Sequence, residues 1–214
     1  IKNDKYEKLR NQIKEKLAEK LQMYKNNENT IILAIPRGGV QTGYTLAKEL
    51  NLQLDIILTK KISYPGNPEY AIGSVSLQSQ FINKEHENVS QDYVKSEVKK
   101  IRRVLNERYK KYLGDKKIIN LKDKIVIITD DGVATGSTIL AAVDLVKKED
   151  AKKVIVAIPI GPNKTIEKIK EKSDEVVCLD QPVDFMSIGE FYKHFEQVSD
   201  KEAIKLLEET NRWK

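Results

Sequence analysis

One cysteine, one tryptophan and two histidines occur in 214 residues, and each scarcity excludes something. Cys178 alone cannot form an internal disulfide, so a reducing, cytoplasmic setting is expected. It lies in an apolar run and reads as a buried small hydrophobe. His86 and His194 lack the neighbours and spacing of a zinc site and read as structural or exposed. No apolar run approaches the roughly 18 residues of a membrane span, so no membrane is expected. Ile1-Lys2-Asn3-Asp4-Lys5 has no apolar stretch behind its charges, which predicts no signal peptide. Repeats and low-complexity segments are also missing. Charge is plentiful: 38 basic and 32 acidic residues leave a net +6. The interleaving favours a solvated Lys/Glu surface over a polyanion-binding one.

What is present is an alternating pattern. Residues 5–25 carry Tyr6, Leu9, Ile13, Leu17, Leu21 and Tyr24 at helical steps, predicting a covering helix. Residues 30–35 form a short branched apolar run, as in a strand buried on both faces. A helix over 40–50 and a strand over 54–59 complete a β–loop–α–β unit. Lys60 to Glu69 reads as a loop with Gly66 as a hinge, and 62–73 as a candidate lid. Residues 71–77 and 80–83 suggest a hairpin. A basic amphipathic helix over 90–113 turns Val94, Val98, Ile101, Leu105, Tyr109 and Tyr112 inward. Strands over 125–129, 154–158 and 175–179 alternate with helices from the 130–138 loop to 148 and over 163–172. A short helix follows from about Asp200. This predicts an α/β fold with a doubly wound, mostly parallel five-stranded sheet and a small hairpin or hood lobe.

The chemistry concentrates in residues 125–138. A buried strand ends in Asp130 and Asp131, and Ala134-Thr135-Gly136-Ser137-Thr138 opens a helix. Unpaired N–H groups at a helix N-terminus attract phosphate. Gly136 permits close backbone approach, and Thr135, Ser137 and Thr138 add hydroxyls. The acids repel phosphate but suit vicinal hydroxyls, or a coordinated Mg²⁺. Phosphate at one end and a diol at the other describe a ribose 5-phosphate. The loop lacks the Walker lysine and the Gly-x-Gly-x-x-Gly spacing.

Ile125 to Thr138 resembles the phosphoribosyl-pyrophosphate motif of type I phosphoribosyltransferases. Ile35-Pro36-Arg37-Gly38-Gly39-Val40 resembles their pyrophosphate loop. Lys60-Lys61-Ile62, Pro65-Gly66-Asn67-Pro68-Glu69, Ala71-Ile72-Gly73 and the tail from Asp174 to Phe195 resemble a prokaryotic subgroup of undefined substrate. The resemblance covers about residues 30–205. It implies one domain over 1–214, with a core over about 30–180. Residues 5–25 and 181–214 would cover it or form a hood.

By this resemblance Asp130 and Asp131 hold the ribose hydroxyls and, indirectly, Mg²⁺. Ala134, Thr135, Gly136, Ser137 and Thr138 hold the 5-phosphate. Arg37, Gly38, Gly39 and Lys60 or Lys61 meet pyrophosphate, with Lys60 favoured and a non-prolyl cis peptide expected near 37–38. Asp131 and Glu69 are the catalytic candidates. Tyr64, Phe191 and Tyr192, with Phe185, are candidates for stacking on a base. The basic face of the 90–113 helix reads as solvated; the sharper alternative is a pyrophosphate contact from Arg102 or Arg103, in the same or a neighbouring subunit. The implied activity is Mg²⁺-dependent transfer of phosphoribose from 5-phosphoribosyl 1-pyrophosphate to a nucleobase or other small nitrogen nucleophile. Ala134 stands where the 6-oxopurine branch has an acidic base, which argues against that branch's mechanism. The alternative is a non-catalytic regulator binding phosphoribosyl pyrophosphate or a nucleotide, with RNA or DNA as a further partner. For the enzyme reading, nucleic acid is not an expected partner; a homodimer is the family's suggestion.

Overall fold

The computed structural model describes residues 14–86, 88–182 and 198–211. Residues 14–20 are helical (α1) and end in a 3₁₀ turn at Gln22–Tyr24. The expected helix over 5–13 lies outside the described residues, as do Phe185, Phe191, Tyr192 and His194.

Five strands form the main sheet: β1 (Thr30–Ala34), β2 (Gln53–Ile56), β6 (Ile125–Thr129), β7 (Lys153–Ile160) and β8 (Glu175–Asp180). Their order is β2-β1-β6-β7-β8, and every pairing is parallel. The doubly wound expectation is borne out. Between these strands run α2 (Gly38–Leu50), α3 (Gln91–Leu113), α4 (Ser137–Lys147) and α5 (Asn163–Lys172), and α6 (Asp200–Asn211) closes the described chain.

Side-chain alternation along the strands divides the core. Ile32, Ala34, Ile127, Ile155 and Ala157 face one layer, with α1, α2, α3 and α6. Ile31, Leu33, Val126, Ile128, Val154 and Val156 face the other, with α4 and α5. All six inward residues assigned to α3 are buried. Branched apolar residues fill both faces of these strands, as a parallel sheet covered by helices on both sides requires.

Residues 60–69 are not a loop. Lys60–Tyr64 is β3 and Asn67–Val75 is β4, joined through Pro65 and Gly66 at φ 77°. Pro fixes the entry angle and Gly supplies the positive φ, so this pair makes a turn between strands. β5 (Gln80–Ile82) pairs antiparallel with β4, giving a separate three-stranded sheet. The hairpin read at 71–77 and 80–83 is therefore present, but its first strand begins earlier.

That small sheet is fastened at its 76–79 turn. Ser79 Oγ donates to Leu145 O (3.0 Å) at the end of α4, and Glu149 Oε1 accepts from Ser79 Oγ (2.9 Å) and Ser76 Oγ (3.4 Å). Arg102 Nε donates to Ser76 O and Nη2 to Gln78 O, at 3.4 and 3.5 Å. Arg103 pairs with Glu107 at 3.8 Å. Arg102 thus braces the sheet and Arg103 meets a residue of its own helix, and neither lines the cleft at Arg37. No helix among the described residues is long and apolar enough to cross a membrane.

Candidate active site

β1 has β2 on one side and β6 on the other, so the chain winds in opposite senses from these two central strands. In open α/β sheets such a switch leaves a crevice beyond the carboxyl ends of the strands. Ile35 N donates to Thr129 O (2.9 Å) at that edge, drawing the segment after β1 against the segment after β6. Arg37, Gly38 and Gly39 leave β1 here, and Asp130 and Asp131 leave β6.

The approach is tight. Gly38 and Gly39 form the first turn of α2, two residues earlier than the sequence suggested. A β-carbon on Gly38 would collide with the Asp131 carboxylate, and one on Gly39 would lie 2.8 Å from Thr129 O. The cis peptide falls at Pro36–Arg37, one bond earlier than expected. Asp130 Oδ1 accepts from Asp131 N (2.8 Å). Burial, then the neighbouring charge of Asp131, pushes the Asp130 carboxyl well above the ordinary range. Burial also raises Asp131, opposed by its hydrogen bond with Asp130 and by the charge of Lys14.

Lys14 is a component that sequence reading missed. It is buried on α1 and donates to Gln41 Oε1 (3.2 Å), while Gln41 Nε2 donates to Glu202 Oε1 (2.8 Å). A lysine inside the apolar stripe of residues 13–21 was the available signal.

On the far side of the acids, Gly136 (φ 79°) precedes α4, and no side chain caps that helix. Its first N–H groups are therefore available to a ligand. Ala134, Thr135, Ser137 and Thr138 are exposed around it. Thr135 Oγ1 and Ser137 Oγ lie 3.2 Å apart, and Thr165 Oγ1 donates to Ala134 O (2.8 Å). Five residues expected at a phosphate thus share one cradle.

A cleft of about 540 Å³ opens between Pro36, Arg37, Gly38 and Asp131 on one side and Arg108, Lys111, Tyr112, Val198 and Asp200 on the other. Lys60 and Lys61 are not in its lining. Both are exposed on β3, and Lys61 pairs with Glu69 at 3.6 Å. Tyr64 is exposed and meets Tyr70 and His86 edge-on, at centroid distances of 5.9 and 6.2 Å. His86 completes this group, half-buried, with its Nε2 3.1 Å from Tyr70 Oη. Cys178 is only half-buried, and burial pushes its thiol up to about 11.

Residues 3–194 match the family description "Phosphoribosyl transferase domain". The chain belongs to the phosphoribosyl transferase family. A family relative from Mycobacterium tuberculosis, MT0597, itself named as a phosphoribosyl transferase, is 33% identical over 189 residues. That alignment takes 85% of this chain but 42% of the relative, so the chain spans under half the relative's length. The crystal structure of TT1426 from Thermus thermophilus superposes with a TM-score of 0.80 at 33% identity, covering 94% of this chain and 96% of that one. The phosphoribosyl transferase arrangement of a parallel sheet with a small antiparallel one therefore extends over nearly the whole chain.

Proposed function

We propose that this chain transfers the phosphoribosyl group of 5-phosphoribosyl 1-pyrophosphate to a small nitrogen nucleophile, with Mg²⁺. The observation that carries this reading is the sequence of features along β6–α4. Paired carboxylates at a strand end are followed by an uncapped helix N-terminus ringed by hydroxyls. The first suits a diol and the second a phosphate.

Asp130 and Asp131 accept the ribose hydroxyls, and the 134–138 turn holds the 5-phosphate. The Arg37–Gly39 segment meets the diphosphate. No group of three or more metal-binding side chains occurs among the described residues. Mg²⁺ characteristically keeps waters and takes one or two carboxylates plus substrate phosphates, and an adjacent Asp pair is such a donor set. Bound with the substrate, Mg²⁺ would supply charge neutralisation at the leaving diphosphate. In the reaction the C1–oxygen bond to diphosphate breaks and a C1–nitrogen bond forms. The chain contributes orientation of the sugar and stabilisation of the departing charge. On this reading Glu69, the carboxylate of the β3–β4 hairpin, receives the nucleophile's proton with the hairpin tip closed over the site. Tyr64 at that tip offers a ring for stacking.

The test is a pyrophosphate-release screen against purine, pyrimidine and nicotinate-like bases, with calorimetry of phosphoribosyl pyrophosphate and Mg²⁺. Release with at least one base, lost in Asp131→Asn, is the expected result. Tight binding without release from any nitrogen acceptor would point to the regulator instead. No binding with or without metal would overturn the site.

A further inference from the structure

We propose that Arg108 and Lys111 form a second wall of the diphosphate site, facing Arg37 across the cleft, so that the leaving group is gripped from α3 as well as from the segment after β1. This rests on the phosphoribosyl-transfer reading and assigns residues outside its recognised loops.

Three cationic side chains from two separate parts of the chain line one opening, with Asp131 at its edge. The protein already places an anion among them. The Asp200 carboxylate, at the start of α6, accepts from Tyr112 Oη (2.6 Å) and Lys111 Nζ (2.5 Å). The charges of Lys111 and Arg37 both act on it. Arg108 lies 5.9 Å from the centre of the Tyr112 ring, and its side chain acts on the Tyr112 hydroxyl that donates to Asp200. A site that holds one carboxylate between cations is chemically suited to the oxygens of a phosphate chain. Its volume lies within the range of small-molecule sites.

Stereochemistry selects which part of the substrate goes there. The 5-phosphate belongs to the α4 cradle, beyond the acids. A nucleophile displacing diphosphate enters from the face of C1 opposite the leaving group. The cleft lies on the Arg37 side, which the phosphoribosyl-transfer reading gives to the diphosphate. Diphosphate is therefore the occupant, and Asp200 is the internal counter-ion that keeps Lys111 aimed into the opening before it arrives.

Calorimetry of inorganic pyrophosphate with Mg²⁺, and separately of ribose 5-phosphate, tests this on wild type, Arg108→Gln, Lys111→Gln, Arg108→Lys and Arg103→Gln. Loss of a charge-assisted contact predicts pyrophosphate binding weakened about tenfold or more in Arg108→Gln and Lys111→Gln. Ribose 5-phosphate affinity should stay within about twofold in both, as expected for a separate subsite. Arg108→Lys should recover part of the loss, and Arg103→Gln should match wild type for both ligands. Unchanged melting temperatures establish that the variants fold. Pyrophosphate affinity unaffected by both Gln variants, or equal losses for ribose 5-phosphate, overturns the proposal. Wild type that binds ribose 5-phosphate but not pyrophosphate overturns it alone; wild type that binds neither overturns the transfer reading as well.

Discussion

The Asp131 carboxylate occupies the space that a β-carbon on Gly38 would need. The start of α2 and the end of β6 are therefore fitted to each other through the one residue type without a side chain. Gly38→Ala must move either Asp131 or the first turn of α2. Overpacking of this kind costs about 1–3 kcal/mol. The expected outcome is a lower urea midpoint together with loss of phosphoribosyl pyrophosphate binding in calorimetry. A variant unchanged in both would show that the two groups are not pressed together.

Gly136 is constrained twice. Its φ of 79° suits glycine, and a β-carbon there would lie 2.7 Å from Thr165 Cγ2. Gly136→Ala should lose about 1–3 kcal/mol of stability from strain and crowding. Ribose 5-phosphate affinity should fall with it, because the same turn aims the first N–H groups of α4. Denaturant melts and titration of the sugar phosphate measure the two effects.

A pH dependence follows from Asp55, which is buried on β2 at 2% exposure. Burial raises its carboxyl, opposed by Lys116, by the N–H of Ile56 and by Tyr109. A carboxyl with a raised pKa in the folded chain binds its proton more tightly there than when unfolded. Its contribution is fully present below the unfolded value, near 3.9, and is lost as pH rises through the folded value. The stability of wild type relative to Asp55→Asn should therefore decline from acid toward neutral pH. A flat difference across that window, in urea melts at several pH values, would contradict the assignment.

Glu69 allows function and stability to be separated. It is 91% exposed and its bond to Lys61 is long, and exposed pairs contribute about 0–1 kcal/mol. Glu69→Gln should melt with wild type to within about 0.5 kcal/mol. If Glu69 takes the proton, kcat falls while phosphoribosyl pyrophosphate affinity in calorimetry stays unchanged. An unaltered kcat would assign the proton to another group.

The β-α alternation is legible because strands buried on both faces write themselves as branched apolar runs, as at 125–129 and 154–158. The turn at 134–138 is equally plain, since a glycine and hydroxyl residues after a strand mark the start of a helix. Residues 60–69 mislead because Pro-Gly marks a hairpin turn as readily as a loop, and Lys60, Lys61, Asn67 and Glu69 mask the strand period on an exposed sheet. Sequence alone reads the basic stretch as a solvated face, with Arg102 or Arg103 as the sharper candidate, and gives no sign of which turn meets the cleft. That depends on where α6 packs, and Asp200 lies about ninety residues further along. Lys14 is hidden by the same cause: its partners Gln41 and Asp131 come from distant segments.

The fastening of the 76–79 turn to α4 has a mechanical consequence. One end of that helix bounds the phosphate cradle, and the other, about 16 Å away for eleven residues, carries the Leu145 and Glu149 contacts to the small sheet. α4 is therefore a strut between cradle and sheet. The sheet cannot pivot from its base without pulling on the helix whose N-terminus we propose for the phosphate. Bending of the hairpin is easier nearer the Pro65–Gly66 tip, around the irregular pairing of Ile62, Ser63 and Tyr64. Glu69 and Tyr64 would then travel with the tip while the phosphate end stays fixed.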